Sequence, residues 1–305
     1  MHGVEFAILL HRALEARVQE LYAAASGEVI EGGEAGNGGE GGFTDPEVLH
    51  RTRVACRRLW ALLDLLDPET YSGLGPRAKA LRRFAKDLGP VREFDMETVG
   101  LLNLHAKPEN RPHQAALEHL LEIVARRRRK ALAELPDKLP NFNKLLRVPS
   151  LPEPFQGPVV AQGAWACLKP RIEEALATIG ERREEEDVAA LHESRVDVKR
   201  LRDTLEALIP AFSVAPVGFV AELKAMQKTL GDHHDLASLE AFLSAQQDHL
   251  AKAGRPILAS SLMDLRDQVA DARRKAFEAF KALDGPWDSG EFSARVQALL
   301  GVSTA

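Results

Sequence analysis

One ten-residue pattern occurs twice in the chain, and its recurrence constrains the fold more than any other feature. His50-Arg51-Thr52-Arg53-Val54-Ala55-Cys56-Arg57-Arg58-Leu59 is answered 142 residues later by His192-Glu193-Ser194-Arg195-Val196-Asp197-Val198-Lys199-Arg200-Leu201. The same register brings Leu63 onto Leu205, Leu66 onto Leu208, Pro68 onto Pro210, Lys86 onto Lys228 and Leu88-Gly89 onto Leu230-Gly231. Near the end of each half, Arg128-Arg129-Lys130-Ala131 faces Arg273-Arg274-Lys275-Ala276, now 145 residues apart, so three residues have entered the intervening loops. A histidine, a basic pattern and a Leu-Gly pair held in constant register read as the duplication of one supersecondary unit.

That unit is helical. Apolar residues recur at helical spacing, and strand signals are nearly absent. The spacing predicts helices over about 4–25, 44–66, 76–88, 90–104 and 112–135, then over about 159–179, 184–209, 216–230, 232–252, 256–283 and 288–300. Thr44-Asp45-Pro46 is a helix start, with a capping oxygen ahead of a proline. Leu88-Gly89 and Leu230-Gly231 are read as matched helix stops. With 45% hydrophobic, 28% charged and 6% aromatic residues the composition is that of a folded helical protein. The Gly- and Glu-rich segment 27–42 can neither hold a helix nor build a core, and the prolines at 136, 140, 149, 152, 154 and 158 exclude long regular structure. The expected organisation is a first bundle over 1–140, a Pro-rich linker over 141–158 and a second bundle over 159–305.

No apolar run reaches membrane-spanning length, and the first residues lack a basic segment followed by a long apolar one. Cys56 and Cys167, each within a helical pattern, argue against a disulfide framework, so a cytoplasmic protein is expected.

The net charge of −5 cannot by itself mark a positive surface, so position must decide. On a helical wheel Arg53 and Arg57 fall within about 60° of His50, while Leu49, Cys56, Leu59 and Leu63 gather opposite. His192, Arg195 and Lys199 repeat this geometry. Solvated faces usually mix acids and bases at i,i+4, but the row His50, Arg53, Arg57 contains no acid. Arg58, Arg200 and Arg202 adjoin the two rows. Arg82, Arg83 and Lys86 are matched by Lys224 and Lys228 in the second half, and Arg128 and Arg129 by Arg273 and Arg274. A single stripe of this kind is ordinary surface. Stripes matched across a duplication fit a groove in which guanidinium and ammonium groups receive a chain of phosphates.

The arginines beside His50 and His192 are expected to depress both histidines. His233-His234-Asp235 resembles the metal-binding pair of some phosphohydrolases, but its counterpart Val91-Arg92-Glu93 lacks both histidines, and no metal site is expected. Asp235 and Glu93 are expected to cap the following helix or to orient an arginine. No nucleophile–base pair, paired carboxylates or nucleotide-binding glycine loop stands at convincing spacing, and no cofactor is expected.

These residues resemble the conserved histidine α-helical domain, the CHAD family, whose hallmark helix reads His-x-x-Arg-Val-x-x-Arg-Arg-Leu-Arg and is followed by Leu-Gly-x-x-Arg-Asp, each present twice. His50 to Leu59 matches the first copy, with Trp60 in place of the last Arg. His192 to Arg202 matches the second, with Lys199 in place of an Arg. The resemblance implies an all-α fold of two four-helix bundles related by an approximate twofold, with a basic groove or pore near their junction. It implies binding of inorganic polyphosphate, residence at polyphosphate granules, and catalysis only through a partner such as a polyphosphate-metabolising enzyme, because the Glu-x-Glu-x-Lys strand of the often-fused CYTH domain is missing. His234 in place of Arg and Ala237 in place of the usual acid imply weaker or pH-dependent binding in the second half. The expected function is thus non-enzymatic polyphosphate binding. Nucleic-acid binding is the first rival, disfavoured by the scarcity of aromatic residues on the basic faces, and a metal-dependent phosphohydrolase built on His233, His234 and Asp235 is the second.

Overall fold

The computed structural model describes residues 2–26, 42–65, 74–135, 160–177, 179–182, 184, 186–283 and 289–302. Among these residues ten helices of three turns or more carry the fold: α1 His2–Ser26, α2 Pro46–Leu63, α3 Leu74–Asp87, α4 Gly89–His105, α5 Gln114–Ala133, α6 Val160–Leu176, α7 Val188–Ala207, α8 Val217–Lys252, α9 Pro256–Lys281 and α10 Ser289–Leu300. Among the described residues there is no strand, and the fold is all-α as expected. The Gly-rich loop (except Gly42) and the Pro-rich linker lie outside the described residues.

The register of 142 residues reappears in local bonds. Asp45 caps α2 by accepting from Glu47 N at 2.8 Å, and Asp187 caps α7 by accepting from Ala189 N at 2.8 Å. Each oxygen satisfies a first-turn donor that has no partner within its helix. Buried Thr52 Oγ1 donates to Val48 O at 2.8 Å, and buried Ser194 Oγ donates to Ala190 O at 3.1 Å.

The halves differ where one helix was expected to end. Gly231 does not stop a helix: α8 runs unbroken through it for 36 residues, where two helices were predicted. In the first half α3 and α4 separate at Leu88. The difference follows from the next residue. Pro90 has no N–H to give the preceding turn and its ring crowds that turn, whereas its counterpart Asp232 donates normally. Asp235 therefore lies mid-helix and caps nothing, and α4 has no side-chain cap at Leu88. At the other end of α8, Gly254 takes φ 72°, and Arg255 N bonds Leu250 O at 2.9 Å. This glycine closure, followed by Pro256, folds α9 back along α8.

The apolar interior forms two cores, and each draws on both sequence halves. One gathers Leu21, Leu49, Leu62, Phe84 and Leu88 with Leu168, Leu201, Leu223 and Phe280. The other gathers Leu101, Leu117 and Leu120 with Leu239, Leu243 and Leu262. The last helix, α10, which has no counterpart in the first half, buries Phe292, Val296 and Leu300 in the first core, with Phe292 against Phe219 at 4.8 Å between ring centroids. Helices α4, α8 and α9 traverse both cores. Between Val91 and Leu101, Leu230 and Leu239, and Val269 and Phe277 they carry mostly polar residues, with Phe94 and Leu236 at the margin of the second core. No described helix is long and apolar enough to cross a membrane.

Candidate functional site

Two kinds of arginine occupy the zone between the cores. The first kind is tied to acids. Arg128 Nε donates to buried Asp95 at 2.6 Å, and one of its terminal nitrogens donates to Thr44 O at 2.9 Å. Arg273 donates to Glu240 at 2.8 Å and to Glu186 at 2.5 Å, and Glu186 also bonds buried His233 at 2.8 Å. Ala237, which stands where the first half has Asp95, leaves no gap: Glu240, one helical turn further along α8, meets the matched arginine.

The second kind is acid-poor. From α2 come His50, Arg53 and Arg57, from α7 His192, Arg195 and Lys199, from α4 Arg92, and from α8 His234 and Asp235. Their mutual fields record the convergence. Burial and then Arg92 lower the His50 pKa, with Arg57 and Lys199 adding to it. Burial and then Arg57 and Arg195 push Lys199 down to about 7. Burial and then Arg195 and His192 push His234 down to about 4. His192 is lowered by burial and by Arg195. Burial comes first in each case, so the expectation that arginines depress His50 and His192 holds for the second cause rather than the first. Burial raises Asp235, opposed by Arg195 and Arg92, so this acid faces arginines on two other helices.

Arg57 Nε donates to Asp203 at 2.9 Å across 146 residues of sequence, and Asp203 is only 3% exposed. This carboxylate anchors the floor of the cluster. Arg53 donates to Ala85 O at 2.8 Å. Among the described residues Arg195 Nε has no hydrogen-bond partner. The two Leu-Gly pairs lie beside the matched arginines. A Cβ on Gly89 would stand 3.4 Å from the Arg53 guanidinium, and one on Gly231 would stand 3.6 Å from Arg195 Nε. Each glycine leaves a bare strip of helix along which the matched arginine lies.

The other expected contacts lie elsewhere. Arg58 bonds Glu20 at 2.7 Å and approaches Glu206 at 3.7 Å. Arg200 pairs with Glu174 at 3.2 Å and Asp64 at 3.3 Å, and buried Arg202 with Asp203 at 3.1 Å. Arg274 pairs with Asp271, and Lys228 with Asp232 at 2.6 Å. Arg82, Arg83, Lys86 and Lys224 are exposed on α3 and the start of α8, and Arg129 borders a surface cleft with His119 and Arg126. Sequence reasoning did not include Arg92, although the Leu-Gly-x-x-Arg spacing signals it. Asp203 gives no such signal, because it follows Arg202 in an ordinary helical stretch.

His233 and His234 diverge. The first bonds Glu186, while His234 Nδ1 meets His192 Nδ1 at 3.1 Å with the rings 4.3 Å apart. Among the described residues no three His, Cys, Asp or Glu are grouped to hold a metal.

The profile of the CHAD domain matches residues 38–244. The crystal structure of the CHAD domain from the plant Ricinus communis is similar over 92% of this chain and 91% of that one, at 21% identity and a TM-score of 0.59. PptA from Streptomyces chartreusis is similar over 90% of this chain and 98% of its own, at 19% identity and a TM-score of 0.59. No curated protein sequence matches. With the family's two hallmark helices lining one cationic cluster and its profile spanning most of the length, the chain belongs to the CHAD-domain family.

Proposed function

We propose that this chain binds inorganic polyphosphate without transforming it, through the cluster of Arg53, Arg57, Arg92, Arg195 and Lys199 with His50, His192 and His234 around it. One observation carries the reading: basic side chains from α2, α4 and α7 face one another with, among the described residues, only Asp203 and Asp235 as buried or half-buried acids between them. Like charges held together raise the energy of the empty site, and a chain of singly charged phosphates relieves it. Guanidinium forks suit paired phosphate oxygens, and many modest contacts with release of counterions make the affinity fall steeply with salt. Recruitment to polyphosphate granules in the cytoplasm, beside enzymes that make or degrade the polymer, is the setting this activity fits.

Nucleic acid fits less well. Trp60, the aromatic nearest the basic rows in sequence, has Arg82 at 5.2 Å and Arg200 at 5.4 Å from its ring, so the chain's own guanidinium groups stack where a base would. A metal-dependent phosphohydrolase would need His233 and His234 on one ion, and they face different partners.

The test is retention of long-chain polyphosphate by an Arg195→Glu, Lys199→Glu double variant. Both positions are surrounded by cations that accommodate a carboxylate, so the thermal melt stays cooperative while affinity falls more than about 100-fold. Unchanged affinity in the folded variant removes the site assignment. Displacement of polyphosphate by equal concentrations of DNA phosphate removes the ligand assignment.

A further inference from the structure

Helix α7 presents Lys199 to His50, Arg53 and Arg57 of α2, to Arg195 and His192 on its own helix, and to His234 and Asp235 of α8, with Arg92 and Glu93 of α4 at the edge. Among the described residues the one buried acid within reach, Asp203, is already taken by Arg57 and Arg202. In the same cluster, His192 and His234 touch through Nδ1 at 3.1 Å. A contact of that length holds a single proton between two ring nitrogens, since two imidazolium N–H groups would point at each other. Arginine cannot shed its charge to relieve crowding, but lysine and histidine can. The cluster is thus built from permanent cations interleaved with groups able to become neutral.

We propose that the site takes up protons as it fills: Lys199, with the His192–His234 pair behind it, is partly neutral when the site is empty and becomes cationic when a polyanion enters. Polyanion capture is then coupled to pH, tightening as the solution becomes more acidic. This rests on the polyphosphate reading above and adds its control. The sign follows from the environment. Burial and neighbouring cations hold Lys199 at about 7 in the empty site, and a phosphate oxygen beside it removes the penalty and returns it toward its ordinary 10.5. The histidines shift in the same direction from their depressed values. Asp235 is the one half-buried acid facing the cluster, and an approaching polyanion raises its pKa as well, so it also gains protons rather than offsetting the effect. Internal phosphates of a long chain stay singly charged near neutrality, so the ligand does not contribute the slope.

The experiment is calorimetric titration of the full chain with long-chain sodium polyphosphate between about pH 8 and about pH 6, in two buffers of different ionisation enthalpy. For one group at about 7 in the empty site, linkage gives about a tenfold gain in affinity across that window. The apparent enthalpy then differs between buffers by the net protons bound. Lys199→Arg, which cannot titrate, flattens the profile. Affinity that is level with pH and enthalpies identical in both buffers overturn the coupling while leaving polyphosphate binding intact. A Lys199→Arg variant with the wild-type slope overturns the assignment to Lys199. Absence of polyphosphate binding at every pH defeats the underlying reading as well. The buffer comparison uses the wild-type protein alone, so the proposal stays testable even if the variant fails to fold.

Discussion

Arg273 and Arg195 carry the same guanidinium group and are both partly buried, yet their surroundings are opposite. Arg273 is held between Glu186 and Glu240, each within 2.8 Å. Arg195 lies along the bare strip at Gly231 with its Nε unbonded, among Lys199, His192 and His234. A count of basic residues treats the two alike. What separates a brace from the proposed binding group is whether the opposite charge comes from the chain or is left for a ligand. Of the matched basic stripes, the one on α2 and α7 meets a single buried carboxylate, Asp203, through Arg57, and those led by Arg128 and Arg273 are closed by acids.

Removing each kind of cation should move stability in opposite directions. The largest effect is expected from Arg273→Met, which strands Glu186 and Glu240. With their partial exposure, a loss of about 2 kcal/mol in chemical denaturation is expected, with affinity of the folded protein for polyphosphate changed less than about twofold. A loss of binding without loss of stability would erase the distinction. Lys199→Met should do the reverse. The folded value of about 7 lies below the ordinary lysine value of 10.5, so between these values the folded chain binds fewer protons than the unfolded one. This group's contribution to stability rises with pH across that window, and its penalty is fully present below about 7. Lys199→Met should therefore raise the melting temperature by about 2–4 °C, most clearly near pH 6, while weakening polyphosphate binding. The smallest effect is expected at Gly231. Alanine there makes only ordinary contact with Arg195 and gains about 0.5–1 kcal/mol of helix stability, whereas leucine must push Arg195 aside and should lower affinity several-fold in the same titration.

The helices, their caps at Asp45 and the register of 142 residues were legible because periodicity, proline and capping residues act locally. The continuous α8 was not, because a glycine alone does not end a helix and the contrast between Pro90 and Asp232 decides which one breaks. The basic faces were legible as faces. Their fates were not, since neutralising partners stand far off in sequence: 146 residues separate Arg57 from Asp203, and 87 separate Arg273 from Glu186. The shared cores escaped for the same reason. A helical wheel shows which side of a helix is apolar but not whose apolar side it meets.

Three helices, α4, α8 and α9, pass continuously from one apolar core into the other. Separating the two ends of the molecule would require snapping helices mid-span, so melting is expected as a single event rather than two. The cationic cluster sits at the waist those rods share. A guest lodged there meets two of those rods, α4 and α8, together with α2 and α7, so its binding energy is felt by the whole body rather than by one half.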